Sequence, residues 1–94
     1  MFRKLKVTNV EFVGATEADI RTGLLGYVSC VVNGSLALDG IAVRQTSDGH
    51  LTLSFPARRD WLGRQRFPVR PFDDRARLEI ERQIFRALGL EATR

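Results

Sequence analysis

Residues 24–56 read LLGYVSCVVNGSLALDGIAVRQTSDGHLTLSFP, and this stretch decides the fold. Leu24, Gly26, Val28, Cys30 and Val32 fall on one side of a period of two, with Leu25, Tyr27, Ser29 and Val31 on the other. Such alternation marks a strand, because successive side chains of extended backbone point to opposite faces. Both faces are largely apolar, so the strand, 23–33, is expected at the centre of a sheet, covered on one side by a helix and on the other by a second subunit. Asn33-Gly34 follows directly, and both residues tolerate the positive φ of a type I′ hairpin turn. A third strand, 35–45, should therefore fold straight back, with Asp39-Gly40 in its middle predicting a bulge or bend. Asp48-Gly49 makes another tight turn. Beyond it, over 50–56, Leu51, Leu53 and Phe55 alternate with Thr52 and Ser54 until Pro56 ends the strand.

Upstream, Val7, Thr8, Val10 and Phe12 suit a first strand over 5–13, and the polar run from Gly14 to Thr22 reads as a connection. Downstream, 57–71 is a basic loop punctuated by Trp61, Gly63, Phe67, Pro68 and Pro71, with room for a short fifth strand around 66–69. The last element is a helix over 74–88. Asp73 or Asp74 caps its positive end and Gly89 stops it. At about 100° per residue, Ala76, Leu78, Ile80, Ile84, Phe85 and Leu88 share one apolar arc, while Arg75, Glu79, Arg82 and Arg86 line the opposite stripe. The fold class is α+β: an antiparallel meander of four to five strands with one C-terminal helix packed on it, in a single domain spanning 1–94.

Composition narrows the chemistry. No run approaches the roughly 18 apolar residues of a membrane span, and the basic Met1 to Lys6 start lacks the apolar stretch of a signal peptide, so the expected location is cytoplasmic. The single cysteine, Cys30, cannot form an intramolecular disulfide, and with one histidine, His50, it cannot complete a structural zinc site without carboxylates or a second chain. Cys30 lies on an apolar strand face, where a buried, inert thiol is expected. His50 directly follows a turn and is expected to be exposed. Asp73 and Asp74 are explained by capping, Glu79 and Glu81 by helix ion pairs. Phosphate-cradling glycine loops, metal-ligand pairs and nucleophile elbows are absent, so neither catalysis nor a cofactor, metal or small-molecule substrate is expected.

The net charge of +4 is informative through its position. Up to residue 57 five basic residues face five acidic ones, whereas from Arg58 onward ten arginines face six carboxylates. Arg58, Arg59, Arg64, Arg66 and Arg70 are opposed only by Asp60 between residues 58 and 70. Codon bias toward arginine would also enrich this residue, but guanidinium groups suit flat, bidentate contacts to phosphate. Four of these arginines, with Trp61, fall within nine residues around Gly63 and point to phosphate neutralisation and counterion release. Trp61, a lone tryptophan, is expected to pack in the core, the alternative being an exposed ring that stacks on a base or wedges at a duplex.

Several short pieces occur together in a familiar order. They are Val7-Thr8-Asn9-Val10, then Leu38-Asp39-Gly40-Ile41-Ala42-Val43, then Leu53-Ser54-Phe55-Pro56-Ala57-Arg58-Arg59, Gly63, Arg70-Pro71-Phe72 and Arg77. Over 5–88 the chain thereby resembles the stage V sporulation protein G (SpoVG) family of small bacterial regulators. The resemblance implies an antiparallel sheet followed by a helix, a homodimer joined through its sheets, and nucleic-acid binding that regulates gene expression and, in some bacteria, septation or spore cortex formation. Arg70 stands where the family usually has histidine, Phe55 where methionine is usual, and Phe67-Pro68 in place of a polar-aliphatic pair. Glu79 occupies a helix position that is often basic, so the implied binding role falls mainly on Arg58, Arg59, Arg64 and Arg66, with Arg70, Arg75, Arg77 and Arg82 extending it. The partner is DNA, with RNA as a variant. A competing expectation from another class is a protein-interaction module whose arginine loop grips an acidic partner without nucleic acid.

Overall fold

The computed structural model describes residues 4 to 90, which leaves Arg3, Glu91 and Arg94 of the charge tally outside the described residues. Four strands, β1 (Val7–Gly14), β2 (Leu24–Val32), β3 (Leu36–Gln45) and β4 (Leu51–Ser54), form one antiparallel sheet in chain order. A short helix, α1 (Glu17–Arg21), connects β1 to β2, and a second helix, α2 (Asp74–Ala87), covers one face of the sheet. The meander and its C-terminal helix are those expected from the alternation and turn signals.

The turns explain the topology. Asn33 and Gly34 adopt φ of 51° and 67°, and the Ser35 amide donates to the Val32 carbonyl at 3.1 Å, closing the hairpin between β2 and β3. Opposite Ser29, the pair Asp39-Gly40 forms the bulge the sequence predicts, between the Val28–Ile41 and Cys30–Leu38 pairings. Asn9, at φ 53°, sits in a further bulge that bends β1. The polar run before β2, read as connection alone, instead contains α1. Its start is a capping arrangement in which the Asp19 amide donates to Thr16 Oγ1 while the Thr16 hydroxyl donates to the Asp19 carboxylate.

Ile80, Ile84 and Phe85 of α2 pack against Val28, Cys30, Ile41, Val43 and Leu53 to make the core. Asp73, rather than Asp74, is the N-cap, its Oδ1 accepting from the Ala76 amide at 2.9 Å. At the other end the Gly89 amide donates to the Arg86 carbonyl and the Leu90 amide to the Phe85 carbonyl, which terminates the helix through glycine in the left-handed region. Leu78 corrects the expected apolar arc, being 65% exposed. Arg77 and Glu81, on the same flank of the helix, take the β4 edge at Leu53.

That edge contact has a counterpart across the sheet. Gln83 accepts from the Val7 amide at 2.7 Å and donates to the Leu5 carbonyl at 2.8 Å, on the open side of β1. On β4, the Leu53 amide donates to Glu81 at 3.4 Å and Arg77 donates to the Leu53 carbonyl at 3.2 Å. Three polar side chains of one helix thus satisfy backbone groups on both outer strands, which otherwise present unpaired donors and acceptors. On the face of the sheet away from α2, Val13 and Tyr27, paired across β1 and β2, stand exposed.

Candidate nucleic-acid interface

The basic loop is not irregular. Arg58–Arg59 (β5) and Gln65–Arg66 (β6) pair antiparallel with each other and with no strand of the main sheet, forming a separate two-stranded hairpin. The fifth strand anticipated around 66–69 is accordingly replaced by this ribbon, whose second strand ends at Arg66 because Pro68 lacks the amide that would extend it. Its loop is Trp61-Leu62-Gly63. The Gly63 amide donates to the Asp60 carbonyl and the Asp60 amide to the Arg64 carbonyl, each at 2.9 Å, with Gly63 at φ 79°. This is a three-residue hairpin in which glycine supplies the left-handed residue that reverses the chain.

Asp60 organises the tip. One carboxylate oxygen accepts from the Leu62 and Arg64 amides at 2.9 Å each, and the other accepts from the Arg64 and Arg66 guanidinium Nε atoms at 3.1 Å each. The hydrogen bond from the Arg64 amide contributes most to holding its carboxyl below the usual carboxylate range, aided by Arg66, the Leu62 amide and the Arg64 side chain. The Arg59 guanidinium donates to the Gly63 carbonyl at 2.7 Å, bracing the turn from the other strand. Arg58 is paired directly across from Arg66. Like charges in that position repel, and Asp60 offsets only part of the repulsion. Arg58 and Arg59 have no carboxylate partner among the described residues. With four arginines and one aspartate, residues 58–66 carry a net charge of +3.

Trp61 is the main correction. Expected in the core, it is 89% exposed. The reason is its position as the first residue of the hairpin loop: the Asp60 hydrogen bonds fix the turn, and a two-stranded ribbon outside the main sheet has no layer against which to bury the ring. Asp60 with Gly63 three residues later is the turn pattern that signals this placement.

The remaining arginines lie elsewhere. Arg70 donates to the neighbouring Pro71 carbonyl at 3.4 Å and lines a groove of about 360 Å³ between Phe67, Phe72 and the start of α2. Asp73, Asp74 and Arg77 also line this groove, so carboxylates balance its guanidinium groups. Arg77, half-buried, is engaged with Glu81 and the Leu53 carbonyl. Arg82 is bound by Glu79, whose carboxyl is lowered to about 2 chiefly by that hydrogen bond. Arg75 is exposed on the first turn of α2. The hairpin therefore brings together Arg58, Arg59, Arg64 and Arg66, and leaves Arg70, Arg75, Arg77 and Arg82 on a mixed-charge surface around the helix.

Away from the hairpin, Cys30 is buried, and burial first and the charge of Asp39 second push its thiol upward. His50 Nδ1 lies 3.0 Å from Asp48 at the turn before β4. Among the described residues no three His, Cys, Asp or Glu side chains are grouped to hold a metal ion, and no helix is long and apolar enough to cross a membrane. Compared with known proteins, the chain matches no family model, and no curated protein matches it.

Proposed function

We propose that the chain is a cytoplasmic, non-enzymatic regulator of the SpoVG type that binds nucleic acid, DNA in the first instance, as a homodimer. The observation that carries the reading is the hairpin at 58–66: four arginines on a ribbon braced by Asp60, with a net charge of +3 concentrated at one projection. Guanidinium groups in such a ribbon neutralise phosphates and displace condensed counterions, which supplies affinity without reading sequence. The resemblance over 5–88 supports the same assignment and its link to septation or spore formation. A second copy would cover the sheet face on which Val13 and Tyr27 stand exposed, setting two hairpins on one ligand.

The test is fluorescence anisotropy with labelled duplex DNA over a range of salt. Two hairpins of charge +3 predict a slope of log affinity against log salt of about −5 for the dimer. Arg58→Ala combined with Arg59→Ala lowers the charge to +1 per hairpin and the slope to about −2. A slope unchanged by the double substitution removes the hairpin from the interface. Sedimentation measurements report the dimer, and Tyr27→Asp is expected to shift them toward monomer. Pull-down partners that survive nuclease treatment and tolerate loop neutralisation would point to a protein-interaction role instead.

A further inference from the structure

Resting on the nucleic-acid reading above, we propose that Trp61 is a stacking platform for an unpaired base, so that single-stranded nucleic acid is the preferred ligand of the hairpin. The indole is 89% exposed, the largest exposure among the large apolar side chains of the described residues. The turn that carries it is held in place. Asp60 accepts four hydrogen bonds around the turn and Arg59 ties the Gly63 carbonyl to the opposite strand, so little backbone ordering remains to be lost on binding. Arg58, Arg59, Arg64 and Arg66 flank the ring within five residues on either side, the combination of phosphate-binding cations and an aromatic face that engages a single strand.

A duplex satisfies this arrangement less well. Its bases are already stacked on one another and present only their edges in the grooves, whereas an unpaired base offers a free face. A lipid surface also fits less well, because anchoring scales with buried apolar area and the tip offers only Trp61 and the half-exposed Leu62. Stacking is indifferent to the sugar, so DNA and RNA single strands share the chemistry.

Trp61 is the only tryptophan in the chain, so its emission reports the contact directly. The intact protein is titrated with single-stranded DNA, single-stranded RNA and a blunt duplex of the same sequence, alongside anisotropy of the labelled oligonucleotides. The expected result is quenching of Trp61 by both single strands and single-strand binding about tenfold tighter than duplex binding. Trp61→Ala should weaken single-strand binding by about tenfold or more without changing the salt slope, and Trp61→Phe should recover part of the loss. Quenching by only one of the two single strands assigns the ligand to that sugar and keeps the stacking. Oligonucleotide binding with unaltered emission, or a Trp61→Ala variant of full affinity, overturns the stacking platform and leaves the arginine interface standing. Absence of all oligonucleotide binding overturns both. A blue shift on anionic phosphatidylglycerol vesicles, without quenching by oligonucleotides, overturns it in favour of a membrane-surface arm.

Discussion

Asp60→Asn separates the two jobs of the carboxylate at the hairpin tip. Asn retains one side-chain oxygen able to accept from the Leu62 and Arg64 amides, both at 2.9 Å, so the turn should survive. It replaces the oxygen that accepts from Arg64 and Arg66 at 3.1 Å with an NH2 group that accepts nothing, so both ion pairs are lost. The charge of residues 58–66 then rises from +3 to +4. Each phosphate neutralised steepens the salt slope on duplex DNA by about 0.9. A dimer carrying two substituted hairpins should therefore change from about −5 to about −7. If the affinities converge near 1 M salt, binding at about 0.1 M strengthens roughly 8-fold per protomer. Anisotropy titrations of wild type and variant across salt measure both quantities, with unchanged Trp61 emission confirming the turn. Asp60→Ala makes the same charge change but removes the turn acceptor, and should bind more weakly than Asp60→Asn. An Asp60→Asn protein with an unaltered slope or weaker affinity would show that Arg64 and Arg66 do not meet phosphate, refuting the charge reasoning.

Three further outcomes follow from the packing and the ion pairs. Ile84, with no exposed surface in the core, should lose about 2–5 kcal/mol of stability as Ile84→Ala in chemical denaturation, a large share of the stability of a small domain. Gln83→Leu leaves the Leu5 carbonyl and Val7 amide without their helix partner and should cost about 2 kcal/mol, with faster hydrogen exchange at Val7. Glu79 is depressed to about 2 in the folded chain from an ordinary value near 4.5. Its stabilising contribution is therefore complete above the unfolded value and is lost as pH falls through about 2. Thermal melts should show a loss of stability over that acid window that is smaller in Glu79→Gln; identical pH profiles would contradict the assignment.

The elements that are legible in the sequence are those whose signal is local and repeated. Alternation places Val28 and Cys30 on the covered face, Asn33-Gly34 supplies its own turn chemistry, and the Asp73-Asp74 pair and Gly89 mark the ends of α2. The hairpin escapes the same reading because two-residue strands are too short to show a period and are held largely by one side chain, Asp60, bonding to backbone and guanidinium groups. Its arginines are visible by composition, but the exposure of Trp61 follows only from its place in the loop. Leu78 has the right residue type for the core and lies in sequence on the apolar arc. It is nevertheless exposed, because burial at the margin of an arc is set by tertiary packing, which periodicity does not encode. Glu81 pairs with Arg77 as a helix ion pair should, but its contact with the Leu53 amide, and that of Gln83 with the Val7 amide, join residues 28 and 76 positions apart and leave no local signal.

The reach of α2 to both outer strands also imposes an order on events during synthesis. The helix is C-terminal to all four strands of the sheet, so a growing chain completes the sheet before Arg77, Glu81 and Gln83 emerge from the ribosome. In that interval Leu5, Val7 and Leu53 present open backbone groups, and the apolar face later covered by Ile84 and Phe85 is wet. A message truncated within the helix should therefore yield a self-associating chain rather than a slightly less stable one.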